Sequence, residues 1–185
     1  MRFKSIPLIQ GSQPWLDYRK GKIGASDIPA ICSVKGSYNT RSNLLYEKIT
    51  GISESVSAFT QALFDKGHEI EEETRTEYNK CFKTNFIPAV VQSVYNECFF
   101  ASLDGFDIEQ ETILEIKSTR KDDYISLAAD RIIPEVYNYQ IQWQLFITGF
   151  YRAICVVVDS RDKTTTIVNV ERDQDLIDKI KTEAE

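Results

Sequence analysis

No four residues constrain this chain more than Leu114-Glu115-Ile116-Lys117. In a strand, side chains alternate between faces, so Leu114 and Ile116 share one face and Glu115 and Lys117 the other. The run Cys98-Phe99-Phe100-Ala101-Ser102-Leu103-Asp104 reads as a second strand, apolar and closed by an acid. Gly105 is the expected turn between them. A hairpin folded there brings Asp104 beside Glu115. Both strands are too apolar for a solvated surface, so the charges belong to the margin of a core.

The surrounding pattern is read in the same way. Ser12 is expected to cap a short helix carrying Trp15 and Arg19, and Ser26-Asp27 a second one through Ile31. Helices follow over Asn39 to Ile49 and Phe59 to Lys80, with a surface loop from Thr50 to Ser57. Strands are expected over Phe86 to Val94, Cys98 to Asp104 and Thr112 to Ser118. Asp122 to Asp130 reads as a helix, and Pro134 opens another that runs through Ile147 and stops at Gly149. Arg152 to Asp159 is a core strand, Thr164 to Val170 an edge strand, and Asp173 to Glu185 a terminal helix. The order implies an α/β fold, a mixed central β-sheet flanked by helices on both sides. With 185 residues and no linker or repeat, residues 1–185 are expected to form a single domain.

Composition sets limits. The net charge of −6 is not that of a typical nucleic-acid binder, but net charge averages over faces, and metal-binding carboxylates count as negative until a cation arrives. Cys32, Cys81, Cys98 and Cys155 form no CxxC pair, which argues against a zinc knuckle. No apolar run reaches membrane-spanning length, so no membrane association and a cytoplasmic location are expected.

Asp104 and Glu115 can hold Mg²⁺, with the backbone carbonyl of Ile116 as a third oxygen, because Mg²⁺ keeps several of its waters. Lys117 beside such a cation can orient or deprotonate a water for phosphodiester hydrolysis. In the long helix, Gly67, Glu71 and Arg75 share a face. Glu71 either pairs with Arg75 along the helix or joins the acidic group. Arg19 offers a fork suited to phosphate, and a helix beginning at Ser26 would offer free N–H groups to an anion. Gln140, Gln142 and Gln144 alternate with Ile141, Trp143 and Leu145, so at least one glutamine must face the interior or a cleft. His68, the only histidine, is assigned a structural or surface role.

Five blocks in order resemble the lambda exonuclease family, the YqaJ-like viral recombinases of the PD-(D/E)xK nuclease superfamily. They are Trp15-x-x-x-Arg19-x-x-x-Ile23-x-Ala25-Ser26, Gly67-x-x-x-Glu71-x-x-x-Arg75, Ser102-x-Asp104-Gly105, Glu115-x-Lys117 and Gln140-x-Gln142. Leu103 departs from the pattern, standing where relatives often carry proline. The resemblance implies a restriction-endonuclease-like core with Asp104, Glu115 and Glu71 at the metals, Lys117 as the catalytic lysine and Gln142 beside the active site. It implies that Arg19, Ser26 and Ser102 hold a 5′-terminal phosphate. The implied activity is 5′→3′ digestion of one strand of linear double-stranded DNA, using two Mg²⁺ ions with Mn²⁺ as a substitute. The implied product carries a 3′ single-stranded tail for phage-type recombination. Implied partners are a single-strand annealing protein and, as a homotrimer ring, further copies of the chain; the setting is a bacterial cytoplasm, with a phage or prophage as the source. Two alternatives share these residues: a non-catalytic DNA-end or partner-binding module, and an endonuclease of the same superfamily.

Overall fold

A computed structural model describes residues 3–52 and 58–185. The expected loop from Thr50 to Ser57 therefore lies in part outside the described residues. The elements run β1 (Phe3–Ile6), α1 (Gln13–Arg19), a 3₁₀ turn (Ala25–Asp27), α2 (Ile28–Ile31), α3 (Arg41–Thr50), α4 (Ala58–Phe82), β2 (Ile87–Ser93), β3 (Phe100–Asp107) and β4 (Thr112–Thr119). Then come α5 (Asp122–Ala129), α6 (Glu135–Thr148), β5 (Arg152–Asp159), β6 (Thr165–Glu171) and α7 (Gln174–Ala184). The six strands form one sheet in sequence order. Every neighbouring pair is antiparallel except β4 and β5, which are parallel and joined through α5 and α6. This is the expected α/β architecture. Among the described residues, no helix is long and apolar enough to cross a membrane.

The two faces of the sheet carry different cores. The larger one joins Ile113, Cys155, Val157 and Val168 to Ile141, Trp143, Leu145 and Ile147 of α6 and to Ile28 of α2. The smaller one joins Leu114, Ile116, Val156 and Val158 to Ile70 of α4 and to Phe86. Alternation along β4 thus sends Leu114 and Ile116 toward α4, and Ile113 and Glu115 toward α6. Helix α6 is buried nearly all round, which resolves the alternating glutamines: an all-round buried helix has no solvent stripe to give them. Gly149 ends it in the left-handed region at φ 75°, its N–H bonded to the Leu145 carbonyl.

Two expectations need correction, and one element was not expected. Gly105 is not a turn residue but lies within β3, and the reversal falls at residues 108–111. Asp107 makes that turn, its Oδ1 accepting from the N–H groups of Glu109 and Gln110. A Cβ at Gly105 would stand 2.8 Å from the Leu114 Cβ and 2.9 Å from that of Phe86, so the glycine permits close packing of β3 against β4 and the segment leading into β2. Second, the helical turn expected to begin at Ser26 begins at Gly24, whose N–H donates to the buried Asp27 carboxylate at 2.9 Å. The unexpected element is β1, at the sheet edge, and among the described residues its one partner is β2, far along the chain.

The register of β3 positions the site. Ile87 pairs with Phe106 but Ala89 pairs with Leu103, so Pro88 alone stands opposite Asp104 and Gly105. Proline has no N–H to give a ladder, and a bulge is where a sheet tolerates it. On its other side β3 pairs with β4 only from Gly105–Leu114 to Asp107–Thr112. Beyond Gly105 the two strands part, and Asp104 and Glu115 face each other at the fork.

Gly105→Ala should cost about 1–3 kcal/mol through overpacking against Leu114 and Phe86. Urea unfolding followed by circular dichroism measures it, and a loss under ~0.5 kcal/mol would contradict the close packing.

Candidate active site

At the fork, the Ile116 N–H has lost the ladder partner that β3 would have offered. The Asp104 carboxylate takes its place, with Oδ2 accepting that N–H at 2.8 Å. The N–H and C=O of one strand residue point to the same edge, so the Ile116 carbonyl also faces the opening between β3 and β4. From α4, Arg75 donates to the Asp104 carbonyl at 2.9 Å. From the N-terminal segment, Gln10 donates to the Leu103 carbonyl at 2.9 Å. The bulge is therefore held from both sides.

Glu115 is 1% exposed, and a buried carboxylate requires donors. It has three: Lys117 Nζ at 2.7 Å and Gln140 Nε2 at 2.6 Å on Oε1, and Gln144 Nε2 at 2.7 Å on Oε2. Lys117 also donates to Gln140 Oε1 at 3.0 Å, which closes a ring of three side chains. The Tyr137 ring lies beneath the ammonium, 5.7 Å from Nζ to the ring centroid.

Asp104, Glu115, Lys117, Glu71 and Gln140 line one cleft of about 150 Å³, together with Arg19, Ser26, Ser102, Trp15, Gln10 and His68. Arg19 stacks over Trp15 at 4.5 Å, and its Nη2 lies 3.4 Å from Ser26 Oγ and 3.9 Å from the Asp27 carboxylate. Trp15 Nε1 donates to Ser102 Oγ at 2.9 Å. The residues expected at the metals and at the phosphate thus share one cavity.

Gln142 is the exception. Its amide donates to Asn138 and to the Glu171 carbonyl and accepts from the Asp173 N–H, at the junction of β6 with α7. Gln140 and Gln144, four apart on α6, hold the place expected of it. His68, expected in a structural or surface role, lines the cleft one helical turn from Glu71. That i, i+3 spacing was the available signal. For Gln10 and Trp15 no spacing placed them at the acidic group.

The electrostatics follow from crowding. Burial, then the charges of Glu115 and Glu71, hold the Asp104 carboxyl well above its ordinary range against the pull of Lys117 and the Ile116 N–H. Burial likewise raises Glu71, opposed first by His68. Burial alone would lower Lys117, but Glu115 and Asp104 outweigh it and hold the ammonium raised and protonated. A depressed lysine, expected beside a divalent cation, is thus not the condition of the protein by itself.

Among the described residues, no three His, Cys, Asp or Glu side chains are gathered into a ready cage for a metal ion. What the fork offers instead is two carboxylates and one backbone carbonyl. That set suits Mg²⁺, which retains waters, and not a cation that needs a full protein cage. Acids crowded in this way favour added positive charge between them.

Residues 14–151 match the family described as the YqaJ-like viral recombinase domain. No curated protein matches significantly. Among solved structures, the fold is similar to an alkaline exonuclease, LHK-Exo, from Laribacter hongkongensis, at 26% identity and a TM-score of 0.73. LHK-Exo in complex with dAMP is similar at 27% identity and a TM-score of 0.72, and in both cases 93% of this chain and 88% of that one are covered. A phage-related exonuclease from Haemophilus somnus 129PT shares the fold, with a TM-score of 0.60 at 17% identity, over 88% of this chain and 89% of that one.

The raised Asp104 has a stability consequence with a definite sign. An acid whose folded pKa lies above its unfolded value destabilises the fold once pH rises past the unfolded value, about 4 for aspartate. In metal-free buffer, Asp104→Asn should therefore raise Tm at pH 7, and the gain should vanish as pH falls below ~4. Thermal melts across pH test this, and a Tm gain independent of pH would contradict it.

Proposed function

The chain belongs to the YqaJ-like viral recombinase domain family, and from that membership we propose that it is a Mg²⁺-dependent exonuclease that digests linear double-stranded DNA from a 5′ end. The observation that carries this reading is the shared cleft, in which Asp104, Glu115 and Lys117 lie together with Arg19 and Ser26. The first three suit hydrolysis of a phosphodiester, and the last two suit a terminal phosphate. Likeness to LHK-Exo over most of both chains supports an exonuclease.

Asp104, Glu115 and the Ile116 carbonyl would hold Mg²⁺, with Glu71 extending the set to a second ion and Mn²⁺ as a substitute. When bound, the metal supplies an activated water and neutralises charge on the phosphate. The protein's own groups do the rest. Lys117 as it stands is a donor, aimed by Gln140, and serves as a base only when neighbouring positive charge offsets the two carboxylates. Arg19 can give a two-pronged hydrogen bond to a terminal phosphate, with Trp15 holding the guanidinium plane by stacking. Ser26 Oγ supplies a further polar group beside it. Ser102 Oγ accepts from Trp15, which leaves its own proton to donate. The product on this reading is a duplex with a 3′ single-stranded tail, the form a single-strand annealing protein takes.

End-labelled linear duplex with Mg²⁺ provides the test. Digestion should start at the 5′-phosphorylated end, stop with EDTA and spare closed circular DNA. Lys117→Ala should lower the rate by about 10²-fold or more. Arg19→Ala should slow digestion of 5′-phosphorylated ends and leave 5′-hydroxyl ends unaffected. Full activity in Lys117→Ala, or equal cutting of circular DNA, would overturn the reading.

A further inference from the structure

Gln144 is polar, yet fully buried on α6. Its Nε2 donates to Glu115 Oε2 at 2.7 Å and lies 3.4 Å from the Ser102 carbonyl oxygen. Both neighbours of that nitrogen are acceptors. Turning the amide over would set its oxygen against two oxygens, so the orientation is dictated by the surroundings. The consequence is that Gln144 Oε1 is the one buried side-chain polar atom without a partner among the described residues. An orphaned buried acceptor is a cost that an apolar side chain of equal length would not incur. Packing therefore does not account for a glutamine here, and what its amide nitrogen does can.

The two bonds of that nitrogen tie β3 to β4 above the ladder, where the bond from the Ile116 N–H to Asp104 is the other tie. The β3–β4 ladder ends at Gly105–Leu114, so above it no backbone bond sets the separation of the strands. Ser102 lies two residues before Asp104 on β3, and Glu115 projects from β4. Gln144 spans the gap from a rigid, buried helix. Gln140, one helical turn earlier, secures the other oxygen of the same carboxylate, but it also answers to Lys117 and is only partly buried.

We propose that Gln144 is a positioning residue that sets the distance and orientation of Glu115 relative to Asp104, and through them the affinity for a divalent cation. This rests on the nuclease reading of the same cleft. Partners that orient a metal ligand typically alter metal affinity or activity by about 10–100-fold when removed.

The test substitutes Gln144→Met, which keeps length and packing and removes the donor. Folding is checked by circular dichroism, and Mn²⁺ binding is measured calorimetrically on the protein without DNA. Mn²⁺ affinity should fall by about 10–100-fold, and kcat on linear duplex should fall with KM for DNA unchanged. A role in packing alone would lower Tm and leave Mn²⁺ affinity as it is. If Gln144→Met does not fold, the unsubstituted protein decides. The Gln144 side-chain NH₂ resonances should shift as Mg²⁺ is added, and their indifference to Mg²⁺ would overturn the proposal. A folded Gln144→Met with unaltered Mn²⁺ affinity would overturn it too. Failure of the unsubstituted protein both to bind Mn²⁺ and to cut DNA would instead overturn the nuclease reading beneath it.

Discussion

A carboxylate taken out of water must be answered by donors, and the polar interior of this protein is arranged around that demand at Glu115. Three side chains from two elements converge on its two oxygens. Two of them are amides one turn apart on α6, which explains two of the three glutamines on a helix buried nearly all round. The third is Lys117, on the same face of the same strand. Removing a single donor from such a group exposes the full cost of an unpaired buried charge, while the complete set gains little over an apolar core. The arrangement makes more sense as a held geometry than as a source of stability.

That geometry exists because the sheet is interrupted beside it. A bulge at Asp104 and Gly105, set opposite a proline, bends β3 away from β4. The interruption frees one backbone N–H and one carbonyl at Ile116. Asp104 satisfies the N–H, and the carbonyl is left at the opening. A regular ladder would have consumed both groups and placed the acids along a flat surface. Gly105 contributes by having no Cβ where Leu114 and Phe86 press in, and Arg75 and Gln10 hold the bent segment by its carbonyls.

Strand alternation made Asp104, Glu115 and Lys117 legible in the sequence, because period two is fixed by the backbone and survives any tertiary context. Helical spacing did the same for Glu71. What was not legible depended on contacts between distant segments. Asp-Gly reads as a turn locally, yet at Asp104-Gly105 the packing of Phe86 and Leu114 overrides that preference, and Asp107 makes the turn instead. Among three alternating glutamines, nothing local says which one meets Glu115. Gln142 lies on the side of α6 that meets the β6–α7 junction, and only the placement of that junction decides it. Strand β1 is four residues long, and its partner β2 lies across the whole helical third of the chain.

The acidic net charge of −6 and the proposed DNA substrate do not conflict once the charges are placed. Helix α4 divides them. One side gives Glu71 and Arg75 to the cleft and the bulge, and the other lines an open groove with Glu69, Glu72, Glu73 and Glu77. Fields from exposed charges fade within about 10 Å at moderate salt, so the outer acids weigh little inside the cleft. A polyanion is repelled from the outer flank of α4. The groups that can receive it, Arg19 on α1 and Lys117 on β4, lie on the other side of that helix in the cleft. On the proposed reading, the surplus of acid narrows the directions from which a duplex end would approach, and the acids within the cleft would need a cation before sharing the space with a phosphate.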